Sequence, residues 1–161
     1  MDGTALLRFK QAFVDKLAAR APNVSYASPA KPEDMLGDDG SGVACWFADD
    51  ATGTYDVAVI TAPADIWVDE QWTITLRIQA LGRDTDATQE RVDMLATELL
   101  GETIYLFCTD PSFGITDDTD VQTFCALPGA ITWTGGILPS GLRAAGFELD
   151  VTLDARLRLG S

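Results

Sequence analysis

Residues Phe147–Leu159 alternate apolar and polar side chains without a slip. Phe147, Leu149, Val151, Leu153, Ala155, Leu157 and Leu159 fall on one side, and Glu148, Asp150, Thr152, Asp154, Arg156 and Arg158 on the other. A period of two marks a strand with one buried face and one wet face. Glu70–Leu81 does the same, with Trp72, Ile74, Leu76, Ile78 and Ala80 set against Thr73, Thr75, Arg77 and Gln79. Two strands of this kind require an antiparallel or mixed sheet covered on one side. The last strand is about twice the usual five or six residues. It is therefore either strongly bent or projects past the sheet toward another molecule.

Two helices supply the cover. Leu6, Phe9, Phe13 and Leu17 recur at spacings of three and four, which predicts a helix from Thr4, a suitable N-cap, to Arg20. Ala21-Pro22-Asn23 stops it, because the residue before proline avoids the helical region. Val92, Leu95 and Leu99 predict a second helix over Ala87–Leu100, with Asp86 and Gln89 as a capping box and Gly101 as its stop.

Shorter strands are expected at Val24–Ala27, Val43–Ala48, Thr54–Ala62, Thr103–Cys108 and Ile131–Thr134. Asp49–Gly53 and Gly135-Gly136 read as turns, and Ala62-Pro63-Ala64-Asp65 as a break. Long loops are expected over residues 28–42 and 109–130, both rich in proline, glycine and aspartate. The whole, residues 1–161, reads as one α+β domain: a mostly antiparallel or mixed sheet with two amphipathic helices on one face.

Charge excludes more than it proposes. Twenty-five acidic residues against 11 basic ones give −14. Such a surface repels phosphate backbones, so duplex binding through a basic patch is excluded. The chain has no histidine, which removes the commonest general base and metal ligand. Cys45, Cys108 and Cys125 show no CxxC spacing and read as reduced, mostly buried thiols, with a Cys108–Cys125 disulfide left open. The N-terminal residues lack the pattern of a signal peptide, and no run approaches the length of a spanning helix. Folding in a cytoplasm, away from membranes, is the expectation.

Catalytic patterns are lacking. Without histidine there is no Ser–His–Asp or Cys–His arrangement, and no glycine-rich phosphate loop occurs. Asp38/Asp39, Asp49/Asp50 and Asp117/Asp118/Asp120 are paired carboxylates, but aspartate favours turns in any case. Asp84-Thr85-Asp86 opens like a calcium loop, yet Gln89 stands where glycine belongs and Leu95 where glutamate belongs. No catalytic, cofactor or metal residue is assigned. Trp67, between Pro63 and Glu70, suits either a protein contact or the core. These features favour a structural or interaction protein over an enzyme.

The order of elements resembles a known family. An N-terminal amphipathic helix leads through a Pro/Gly-rich loop into early strands. Gln71–Ala80 then passes through Gly82-Arg83-Asp84 into the helix Gln89–Leu100, and Phe147–Leu159 closes the chain. This is similar to the tail terminator, or tail completion, proteins of long-tailed bacteriophages, the group that includes minor tail protein U. The segment Thr109–Gly129 has no counterpart in that arrangement.

The resemblance implies a structural virion protein and a hexameric ring at the head-proximal end of the tail tube. There the ring would stop tube polymerisation and dock to the head connector. Its partners would be its own copies, the tail tube protein and the connector or stopper protein. Genomic DNA would pass through the lumen without specific binding. Contact residues on this reading are Trp67, the loop aspartates Asp38, Asp39, Asp117 and Asp118, and Arg156 and Arg158 near the end of the last strand. Two alternatives stand beside it: a neck or head–tail joining protein, and a small acidic ligand-binding or hydrolytic domain.

Overall fold

A computed structural model describes residues 4–21, 25–27, 36, 40–62, 65–83 and 86–159. The elements are α1 (Ala5–Arg20), β1 (Ser25–Ala27), β2 (Ser41–Ala62), β3 (Asp65–Gly82), α2 (Asp86–Thr109), a short 3-10 turn (Ile115–Asp117), β4 (Val121–Ile137) and β5 (Arg143–Leu159). The five strands form one sheet in the order β1-β2-β3-β5-β4. Only β1 runs parallel to its neighbour, pairing with Ala44–Trp46; the other pairings are antiparallel. The architecture is α+β, a mixed sheet carrying both helices on one face.

The alternation of the two long strands sets that face. Ile74, Leu76, Ile78 and Ala80 of β3 lie beside Leu149, Val151, Leu153, Ala155 and Leu157 of β5, all buried under the helices. Val43, Cys45 and Phe47 of β2 and Phe124 and Ala126 of β4 complete the floor. From above, α1 inserts Ala5, Phe9, Phe13 and Leu17, one residue per turn. Thr4 caps it by accepting the Leu7 N–H, and Ala21 closes its far end by donating to the Leu17 carbonyl at 2.8 Å. The start of α1 has a second cap that the pattern of the strand does not announce. Glu70 of β3, only 1% exposed, accepts the Ala5 N–H at 2.8 Å and the Trp72 indole N–H at 3.0 Å. A carboxylate at a helix N-terminus meets both orphan donors and the positive end of the dipole.

Several expectations are corrected. Gly101 does not end the second helix; α2 runs on to Thr109, so Thr103–Cys108 is helix rather than strand. The buried stripe Val92, Ala96, Leu99, Thr103, Leu106 and Phe107 keeps the helical period straight through the glycine. Gly101 itself faces solvent, and a Cβ there would meet nothing within 4 Å. Gly101→Ala is therefore expected to stabilise the fold by about 0.5–1 kcal/mol. A thermal melt followed by circular dichroism would show it as a rise of about 1–4 °C.

Asp49–Gly53 is not a turn between two strands. It lies within β2, where the register against β3 shifts between Phe47 and Ala51. A bulge takes up the extra residues and leaves Asp49 and Asp50 exposed. Gly135 and Gly136 likewise lie within β4, and the connection to β5 is made farther on, where Leu138 and Leu142 are hydrogen-bonded. The expected loop over 109–130 shrinks accordingly, since β4 begins at Val121. Of the loop over 28–42, Ser41 and Gly42 belong to β2. Asp38, Asp39 and the break at Pro63-Ala64 lie outside the described residues, as do Asp84 and the Asp86 side chain of the expected capping box.

All three cysteines are free thiols. Cys45 alone is buried, and burial drives its thiol well above the ordinary range; Cys125 is half-buried and Cys108 exposed on α2. The expectation of mostly buried thiols holds only for Cys45.

Candidate interaction surface

Trp67 is not at the rim of a break but inside β3, half-buried and flanked by Val59 of β2 and Arg158 of β5. It lies on the sheet face away from the helices. Two residues along β3 on the same face, Asp69 accepts two hydrogen bonds from Arg156, at 2.7 and 3.0 Å. That fork holds the Asp69 carboxyl below the usual carboxylate range and the Arg156 guanidinium above its own. Trp67, Arg156 and Arg158 thus come together at one end of the helix-free face. The middle of this face is acidic and wet, with Asp56, Glu148, Asp150 and Asp154 all exposed, while its far end carries a second apolar cluster of Ala44, Trp46, Leu81 and Ala144.

Asp117 and Asp118 stand at the same end of the sheet but on the helix side. Asp118 takes a hydrogen bond from Arg8 of α1 at 2.9 Å, while Asp117 belongs to the 3-10 turn and is exposed. Their neighbour Asp120 is the buried member of the group, at 8% exposure. It also bonds Arg8, at 3.1 Å through one nitrogen and through a second bond from the other, while its carbonyl accepts the Arg158 N–H at 2.8 Å. Asp120 therefore ties α1, β4 and β5 together. The predicted contact residues that are described, Trp67, Arg156 and Arg158 on one side and Asp117 and Asp118 on the other, fall on opposite faces, and one member of each group is ion-paired outside it, Arg156 to Asp69 and Asp118 to Arg8.

The Arg8 hydrogen bond, reinforced by its charge, holds the Asp120 carboxyl below the ordinary 3.8. A carboxyl lowered on folding adds stability above its unfolded value, and that stability is lost as pH falls through the folded value. The melting temperature is expected to drop as pH falls below about 4. Arg8→Met should be less stable than wild type at pH 7, and the gap should narrow in acid. A gap that stays constant from pH 7 to about pH 2 would contradict this assignment.

Two shallow depressions open on the helix-free side. One is lined by Trp46, Arg77, Gln79 and Glu148, and the other by Asp56, Asp69, Gln71 and Asp154. Arg77 pairs with Glu148 at 3.3 Å. Among the described residues no group of three or more Cys, Asp or Glu side chains is placed to hold a metal ion.

The surface that sequence reasoning misses is the pair of sheet edges. β4 forms one edge over 17 residues, with Leu127, Ile131, Trp133 and Ile137 all about half exposed. Trp133 rests on Phe147, ring centroids 4.8 Å apart, and still leaves 47% of itself in solvent. On the opposite side β1 covers β2 only at Ala44–Trp46. Farther along β2, Tyr55, Val57 and Ile60 are exposed, Ile60 at 67%. Among the described residues no strand pairs with the outer edge of β2 beyond Trp46, or with that of β4. The signal was present in the sequence: from Val121 to Leu142 there is no charged side chain, in a chain that is 22% charged.

No protein-family model matches the chain, and no curated protein matches it significantly. Among the described residues no helix is long and apolar enough to cross a membrane.

Proposed function

We propose that this chain is a structural subunit of a ring that caps the head-proximal end of a phage tail tube, stops tube growth and docks to the head connector. The observation that supports the reading is the pair of long sheet edges with which no described strand pairs. Proteins that work as monomers blunt such edges with charge, with covering elements or by keeping them short. Here β4 is long, uncharged and apolar, and among the described residues it is interrupted by one proline and by two register shifts, between Val121 and Thr123 and between Pro128 and Ile131. A chain built this way is completed by neighbours.

The order of elements supports the choice of ring, because it parallels that of the tail terminators. The helix-free face supports the passage of DNA. Glu148, Asp150 and Asp154 on β5 and Asp56 on β2 give it a negative field that lets a phosphate backbone slide without sticking. Trp67, Arg156 and Arg158 on the helix-free face and Asp117 and Asp118 on the helix side lie at one end of the sheet and offer a single contact surface there, for the tube or for the connector.

Particles assembled without this chain are expected to carry tails longer than normal. Tails of normal length that fail to join heads would assign the chain to the neck instead. Loss of a measurable activity on Asp→Asn changes at Asp117, Asp118 and Asp120 would favour the acidic ligand-binding or hydrolytic alternative.

A further inference from the structure

We propose that the outer edge of β4 pairs with the outer edge of β2, residues 51–60, of a second copy, so that the sheet continues from subunit to subunit. The proposal rests on the ring reading and says how the ring is joined. Three observations carry it.

The first is electrostatic. A chain of net charge −14 repels its own copies wherever acidic surfaces meet. Five of its 11 basic residues are already engaged with carboxylates of the same chain: Arg8, Lys16, Arg20, Arg77 and Arg156. At most six of the 11 then remain, against 25 acidic residues, to bridge two copies. Close approach is cheapest where charge is absent. The β4 edge has none, and residues 51–60 of β2 have only Asp56.

The second is chemical. Both edges offer backbone donors and acceptors that no described strand satisfies, beside exposed apolar side chains. Leu127, Ile131, Trp133 and Ile137 on one edge match Tyr55, Val57 and Ile60 on the other in kind, an aromatic ring among aliphatic side chains.

The third is topological. β2 and β4 lie on opposite sides of the central pair β3 and β5. Joining β4 of one copy to β2 of the next engages one long strand edge on each side of every copy and leaves neither of those two edges open within a closed ring, while the outer edge of the three-residue β1 is not used. That is a heterologous contact, the kind that generates cyclic symmetry. Pairing β4 with β4 would stop at a dimer and leave the apolar β2 edge of both copies in water.

The test uses two double variants of the full chain at exposed positions. Ile131→Lys with Trp133→Lys puts charge on the β4 edge, and Tyr55→Lys with Val57→Lys puts it on the β2 edge. Where a double variant fails to melt cooperatively, Trp133→Lys or Val57→Lys alone takes its place. Mass is read by sedimentation.

Wild type is expected to assemble, and each variant alone is expected to be a monomer. An equimolar mixture of the two should give a heterodimer and nothing larger, since each copy keeps one intact edge and the two intact edges complement each other. If the β4 variant still assembles like wild type, the pairing is wrong while the ring reading stands. A β2 variant that dimerises by itself shows β4 pairing with β4 and also overturns it. Wild type that stays monomeric up to about 1 mM, the weak end of useful affinity, removes the ring reading and this pairing together.

Discussion

Leu76→Asp is expected to leave no folded protein. Leu76 is fully buried in β3, between Phe47 of β2 and Leu149 of β5, beneath both helices. The substitution removes a leucine side chain whose loss alone costs about 2–5 kcal/mol in a core. It also brings a carboxylate into a site where no cation lies among its neighbours in the core cluster. A buried charge without a partner adds several kcal/mol more. Together these match or exceed the roughly 5–15 kcal/mol by which a domain of this kind is stable. Expression in the soluble fraction and a circular dichroism melt check it. A soluble Leu76→Asp variant with a cooperative melt would mean that the even-numbered residues of β3 face solvent, and the assignment of both sheet faces would fall with it.

That prediction is available from the sequence because β3 and β5 are half-buried central strands. Their wet and dry faces alternate, and the alternation is printed in the side chains. β4 is hidden for the opposite reason. Past Ala126 its residues are half-exposed or exposed whichever way they point, so no alternation is imposed on them. Pro128, Gly129, Gly135 and Gly136 then add turn chemistry that an edge strand tolerates. The end of α2 misleads in another way. Thr103-Ile104-Tyr105-Leu106-Phe107-Cys108 is rich in β-branched and aromatic residues, and Gly101 before it resembles a stop. Burial decides otherwise, because Leu99, Thr103 and Leu106 present one stripe to the core only as a helix.

For the residues expected to make contacts, the side of the strand was legible but the ion-pair partners were not. Arg156 and Arg158 are on the polar side of the last strand in the sequence as in the structure. Their partners are not legible, because Asp69 is 87 positions away from Arg156 and meets it only through the β3–β5 register. The same holds for Arg8 and Asp120, 112 positions apart. A charge-free stretch needs no such register. The sequence from Val121 to Leu142 could have been flagged by composition alone, which makes the β4 edge the most recoverable part of the surface.

Phe9→Ala is expected to cost about 3–5 kcal/mol, the largest effect of any truncation on α1. Phe9 is fully buried and lies within 6.2 Å, centroid to centroid, of Phe13, Phe47, Phe107, Phe113 and Phe124. Six of the chain's seven phenylalanines therefore meet around one ring. They come from α1, β2, α2, the turn after α2 and β4, so the ring joins every layer of the fold. Its edge-to-face contact with Phe113, at 5.2 Å and 86°, has a further role. Phe113 has φ of 50°, in the left-handed region that a bulky residue enters at a cost of about 1–2 kcal/mol. It is held there by Phe9 and by Phe107, the latter also at 5.2 Å. Removing Phe9 opens a cavity and takes away one of the three rings, with Phe13 and Phe107, that pack on Phe113. Chemical denaturation should show a lower midpoint with Phe9→Ala, and proteolysis should find the 110–120 segment first. Phe9→Leu, which keeps part of the volume, should lose less than half as much. A cost under about 1 kcal/mol for the alanine variant would show that the six rings do not form one packed unit.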